Sequence, residues 1–265
     1  MGSIRIRNNL IMSTTTSYYL AFDGYGYHSE GASPELSRHA LISSDFVYVP
    51  ESTAIEIPFF TEDDIEIVYV KDGSTVTVDT ASDFDNTSAN AVNYVSFTPN
   101  ANHTPYIINV FNNGQTTKHK SINLIPVCEP KFTPVKCQFI NKFGVIQCMY
   151  FFLRQTESMN VEDSMYMRNT IDTNATYNIN EGQFRRHGVK AQNSITLNTG
   201  YVNENFNQTI EELLLTENCW ITFESVVTAA MPVTKTMQHK TSLNDKLIDY
   251  QIQFDFASHK INTVR

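Results

Sequence analysis

The nine residues Ile248-Asp-Tyr-Gln-Ile-Gln-Phe-Asp-Phe256 alternate apolar and polar side chains without a break. Successive side chains on a strand point to opposite faces, so this run places Ile248, Tyr250, Ile252, Phe254 and Phe256 on one buried face and leaves the other wet. A helix would scatter the same residues around its axis. A half-buried strand needs a sheet to join and a second layer to cover its apolar face.

Other segments supply partners. Ile65-Glu-Ile-Val-Tyr-Val-Lys-Asp-Gly-Ser-Thr-Val-Thr-Val-Asp79 reads as a hairpin closed by Asp72-Gly73, because a type I′ turn needs positive φ at both central residues. Pro105 to Phe111, Asn113-Gly114 and Thr116 to Ile125 read as a second hairpin, and Ala91 to Phe97 as a further strand. Residues 55–127 therefore predict a small Ig-like β-sandwich. Pro126, Pro130 and Pro134 cannot donate to a ladder and hold their predecessors extended, which predicts a linker over 128–134. Residues 1–54 carry Tyr18, Tyr19, Tyr25 and Tyr27 with Gly24 and Gly26. Two readings stay open for them: extra strands of the sandwich, or an arm onto a neighbouring subunit.

Residues 135–265 predict a second β domain. Val135 to Phe152 reads as a hairpin; with Lys142-Phe143 as its turn, Cys137 falls opposite Cys148. A reduced pair is the expected state in a cytoplasmic product, and a bulge at Gly144 would break the alignment. Over 203–217 the pattern is helical: Asn203 as N-cap, Glu204 in the first turn, and Phe206, Ile210, Leu213 and Leu214 on one face. Glu211 and Glu212 read as its solvated side. Strands are expected at Cys219 to Phe223, Val233 to Thr241 and Leu247 to Phe256, with Trp220 in the core. The chain as a whole is predicted to be all-β: an N-terminal Ig-like β-sandwich and a C-terminal β-sandwich or split barrel with one packed α-helix.

Charge and motif content point away from chemistry. The chain has 19 basic and 28 acidic residues, for a net charge of −9. Tight nucleic-acid binding needs clustered cations, and the longest cluster is Arg185-Arg186-His187, so none is expected. The start of the chain lacks an apolar stretch with a cleavage site, and no run reaches ~18 apolar residues, so neither export nor a membrane partner is expected. His28, His39, His103, His119, His187, His239 and His259 occur singly, and Cys128, Cys137, Cys148 and Cys219 lack metal-ligand spacing. Asp79, Asp83, Asp85 and Asn86 cluster in one loop but without the glycine and glutamate of a calcium loop. Gly-x-Ser-x-Gly and phosphate-cradling patterns are missing. The expectation is a non-enzyme with no catalytic, cofactor or metal residues.

Several segments of the C-terminal half form a pattern: Cys128-Glu-Pro-Lys-Phe-Thr-Pro134, Phe139-Ile-Asn-Lys-Phe-Gly144, Tyr150-Phe-Phe152, Leu197-Asn-Thr-Gly-Tyr201, Glu212-Leu-Leu-Leu-Thr216, Pro232-Val233, Lys240 to Tyr250 and Ile261-Asn-Thr-Val-Arg265. Over about residues 120–265 it resembles uncharacterised virion structural proteins of marine and aquatic tailed bacteriophages. The resemblance implies a tail, neck or baseplate component, assembled in the bacterial host cytoplasm, whose partners are further copies of itself and other virion proteins. It brings no catalytic residues. A receptor- or glycan-binding surface module is the alternative, with the Tyr18 to Tyr27 stretch as its one candidate platform.

Overall fold

The computed structural model describes residues 4–5, 18–19, 22–31, 40–61, 65–79, 91–100, 102, 104–129, 131–171, 173–241 and 248–261. In chain order the strands are β1 (Ile4–Arg5), β2 (Tyr18–Tyr19), β3 (Phe46–Pro50), β4 (Ile55–Thr61), β5 (Ile65–Lys71), β6 (Ser74–Asp79), β7 (Ala91–Phe97), β8 (Tyr106–Asn112) and β9 (Lys118–Val127). The second half adds β10 (Val135–Ile140), β11 (Ile146–Phe151), β12 (Thr156–Met167) and β13 (Phe184–Asn198). Helix α1 (Asn207–Leu215) follows, then β14 (Cys219–Phe223), β15 (Val226–Pro232) and β16 (Gln251–His259).

The fold is all-β and sandwich-like. A five-stranded sheet in the order β3-β9-β8-β5-β6 packs against the antiparallel pair β4-β7, and a seven-stranded sheet runs β11-β10-β14-β15-β16-β13-β12. The sandwich follows from alternation: Ile55, Ile57 and Phe59 on β4 and Val95 and Phe97 on β7 are buried together with Ile65, Ile67, Ile108, Val110, Ile122 and Leu124 of the larger sheet. Tyr69 of β5 meets the Phe97 ring of β7 at 5.3 Å across the layers. Asp72 and Gly73 both take positive φ, as the Asp-Gly turn predicts. β3 lies within the first 54 residues and pairs in parallel with β9, so part of that region supplies an extra strand of the sandwich.

Apolar packing continues across the expected 128–134 linker, whose Cys128, Lys131 and Thr133 are exposed. Strand β11 lies against both β3 and β4. The Tyr48 ring of β3 sits edge-on to Phe206 at 5.3 Å, and its hydroxyl accepts a hydrogen bond from the Asn203 N–H at 2.7 Å. Asn203 caps a 3-10 turn, Glu204–Phe206, that leads into α1, its side chain accepting from the Asn205 N–H; α1 itself follows Phe206 without a side-chain cap. Phe206, Ile210 and Leu213 are buried on the predicted face, and Leu214 packs partly buried against the same core.

Four expectations are corrected. In the first, the β10–β11 turn spans Asn141 to Val145, with Gly144 at φ 75°, so Cys137 pairs with Met149 and Cys148 with Gln138. The left-handed glycine adds a residue to the turn, and a slip of one position separates the two cysteines. Cys137 instead lies with its sulfur 3.5 Å from that of Cys219, and both thiols are free. In the second, the strand expected at Val233 to Thr241 is found earlier, at Val226–Pro232, and residues 233–241 have no regular structure. It is joined to β14 through Glu224 and Ser225, both at positive φ, a primed turn built without the glycine or asparagine that marks one in a sequence. In the third, Trp220 is half-buried rather than in the core. In the fourth, Glu212 is buried, as described below.

Tyr250, just before the last strand, and Ile252 and Phe254 on it are buried, and Phe256 is half-buried. Phe254 is fully enclosed and meets Phe151 edge-on at 5.8 Å. Phe254→Ala is expected to lower the unfolding free energy by about 3–5 kcal/mol in urea titrations, and Phe256→Ala by clearly less.

Candidate assembly surface

Strand β13 changes role along its length. From Gln192 to Asn198 it pairs with β16 on one side, and up to Thr196 with β12 on the other, and Ile195 and Leu197 are buried. From Phe184 to Lys190 it pairs with β12 alone, and every one of those residues is exposed. All twelve residues of β12 are exposed as well. The outer parts of the two strands thus form an arm, a ribbon two strands wide that extends from the edge of the seven-stranded sheet.

The register fixes the faces of the arm. Glu157 is opposite Ile195, Met159 opposite Asn193 and Val161 opposite Ala191, so these β12 residues share the face that lines the core further in. Beyond them Asp163 is opposed by two residues, Gly188 and Val189, with Gly188 at φ 62°. A left-handed glycine at this kind of bulge inserts one residue and keeps the following pairs in phase. Met165 then faces Arg186, and Met167 faces Phe184. The core face therefore continues outward as a stripe of Met159, Val161, Met165, Met167 and Phe184, which are between 39% and 68% exposed. The Asp163 carboxylate and the Arg186 guanidinium form an ion pair in the middle of it. The other face is polar, with Glu162, Ser164, Arg185 and Lys190, and with Tyr166 edge-on to His187 at 5.6 Å.

The arm's end is held in shape. Arg168 donates from its backbone N–H to the Gln183 carbonyl at 2.9 Å, and its guanidinium bonds the Glu181 carboxylate at 2.8 Å. Ile171 bridges to Tyr177. Ile171, Tyr177 and Ile179 are all exposed, the last at 87%. A two-stranded ribbon is marginally stable by itself in water, and a contiguous exposed apolar patch marks a contact surface. A long edge strand also offers an unpaired row of backbone donors and acceptors.

A second polar cluster lies inside the body, where α1, residues 22–31, the loop before β3 and the β10–β11 turn meet. Gly144 passes so close to this N-terminal segment that a Cβ would come 2.7 Å from the Asp23 backbone, and the Tyr25 N–H donates to the Lys142 carbonyl at 2.8 Å. Asn141 is buried and fully used: its amide donates to the Leu41 carbonyl at 2.7 Å and to Gln147 at 3.0 Å, and its oxygen accepts from the Phe143 N–H at 3.0 Å. Glu212 is 1% exposed, and neither carboxyl oxygen makes a well-formed hydrogen bond. Burial raises its pKa; Ser43, Lys142 and Lys120 offset this only in part. Burial, and after it the charge of Glu212, pushes Tyr25 up to about 12.

Sequence reasoning placed Glu212 on the solvated side of the helix. In the structure residues 22–31 and the β10–β11 turn cover that side, and Glu211 is left half-buried. Tyr25 and Tyr27 are half-buried and stacked edge-on at 5.9 Å, so they form no exposed platform. Asp83, Asp85 and Asn86 of the acidic loop lie outside the described residues. Among the described residues no group of three metal-ligating side chains comes together. The arm was missed at the sequence level. Its signal is present as apolar residues at odd positions from Met159 to Met167, interrupted by Asp163.

No protein-family model, curated protein or solved structure matches the chain.

The buried carboxyl gives stability a pH dependence. Glu212 titrates higher in the folded chain than in the unfolded one, so in the window between the two values the folded state holds more protons. Its contribution is fully present below the unfolded value and is lost as pH rises through the folded one. Glu212→Gln, which cannot ionise, is expected to raise Tm near pH 8 and to change it less at about pH 4, read by scanning calorimetry.

Proposed function

We propose that this protein is a structural subunit of a bacteriophage virion, in the tail, neck or baseplate, acting by symmetric self-assembly and by contact with other virion proteins. The observation that carries the reading is the arm: a stretch of sheet whose apolar face is exposed and, among the described residues, has no covering layer. A subunit that meets its neighbours in a particle needs such a surface, and an isolated soluble domain is penalised for it. The C-terminal sequence pattern supports the same class. On this reading the residues that matter are those of packing and contact, and no catalytic or cofactor site is assigned.

A second reading, a receptor- or glycan-binding module, draws on one observation. The end of the arm holds an open cleft of about 470 Å³ lined by Asn169, Asn178, Glu181 and the exposed Tyr177, a mixture of amides, a carboxylate and a ring. Light scattering across a concentration series, with negative-stain imaging, separates the two. Self-assembly is expected to give a defined oligomer or rings. A strict monomer at high concentration that binds an immobilised glycan would favour the second reading and overturn the first.

A further inference from the structure

The reading above requires self-association but leaves its geometry open. We infer that the apolar stripe of the arm packs face to face against the same stripe of a second copy, related by a two-fold axis. The inference rests on the proposed self-assembly and specifies the surface that performs it.

The first argument is complementarity of shape and composition. Of the twenty large apolar residues exposed among the described residues, ten lie between Met159 and Val189. The others are distributed over the body, and the richest element, β15, carries three: Val226, Val227 and Met231. The surface that matches the stripe in length and character is therefore the stripe itself. A two-fold contact is self-complementary by construction, since each residue meets its counterpart's partner in both directions. Methionine suits this role because its unbranched side chain adapts to the facing surface. The central Asp163–Arg186 pair is also compatible with it: across a two-fold axis each Arg186 faces a second Asp163, so the charges stay paired when the stripe is covered.

The second argument is charge. Residues 156–190 contain five acidic and four basic side chains, which leaves eight of the nine net negative charges on the rest of the chain. Two bodies of the same sign repel each other, and a nearly neutral arm that extends away from the body is where two copies meet at the lowest electrostatic cost.

The third argument is area. The stripe runs nine residues, from Met159 to Met167, so it is about 30 Å long and about 10 Å wide and offers on the order of 300 Å² per copy. Stable interfaces bury about 800 Å² per partner. The stripe alone is smaller than that, and an antiparallel pair of arms would also bring the exposed Ile171, Tyr177 and Ile179 at each end near the base of the other arm.

The test compares wild type with Met165→Glu/Met167→Glu, in which the stripe carries two charges, and with Tyr166→Glu on the opposite face. At protein concentrations low enough that wild type is dissociated, thermal unfolding of both variants is expected to match wild type, because none of the three residues is buried in the body. The stripe variant is expected to self-associate roughly a hundredfold more weakly, and Tyr166→Glu to retain the wild-type mass. In a mixing experiment, immobilised stripe variant is expected to fail to capture wild type. Capture at wild-type strength would mean that the arm docks on the body of its neighbour, and would overturn the inference. An oligomeric wild type whose mass the stripe variant does not change overturns this geometry and leaves the structural reading standing. A strictly monomeric wild type overturns both.

Discussion

The two large sheets of the body each bury at least one face, and the outer part of β12 and β13 buries neither. That contrast organises the molecule. In the body the five-stranded sheet is covered by β4 and β7, and the inner face of the seven-stranded sheet by α1 and the neighbouring strands β3 and β4. The apolar contacts form one continuous cluster that includes residues from both sides of 128–134. The arm carries the same alternation of side chains as the buried strands, with its apolar face pointing into solvent.

The body also determines where the arm points. Strand β13 is one element of fifteen residues, anchored over its inner half between β12 and β16 and projecting over its outer half. The hydrogen-bonded ladder is continuous through this change, so the arm inherits the orientation of the sheet. The Gly188 bulge adds local twist; the Asp163–Arg186 pair lies at it and the Arg168–Glu181 pair further along the ribbon. Such exposed pairs add little stability, but they fix side-chain positions on a surface that has no core beneath it.

Much of the fold was legible in the sequence because local chemistry and tertiary packing agree there. The Asp72-Gly73 turn, the alternation leading to Phe254 and the helical stripe of Phe206, Ile210 and Leu213 each specify their structure through nearest neighbours. The misreadings come where the deciding partner is distant in sequence. Glu212 is buried because residues 22–31 cross over the helix, which no periodicity within 203–217 reveals. The Glu224-Ser225 turn is held in a primed conformation by the strands on either side, although neither residue favours it alone. The register of β10 against β11 turned on Gly144, whose left-handed geometry is tied to the close passage of Asp23.

The arm was hidden for a different reason. Alternation at Met159, Val161, Met165 and Met167 states that one face avoids water, but it does not state what covers that face. In Ile252 and Phe254 the cover comes from the same chain, and there the pattern was read correctly. In the arm no cover is found among the described residues, and Asp163 breaks the run at its midpoint. The same aspartate suits the contact inferred above: its ion pair with Arg186 keeps a charge on the free ribbon and would remain paired if the stripe were covered by a matching surface. A strand wholly apolar at these positions would pair indiscriminately, so the charge in the stripe restricts which contacts the arm can make.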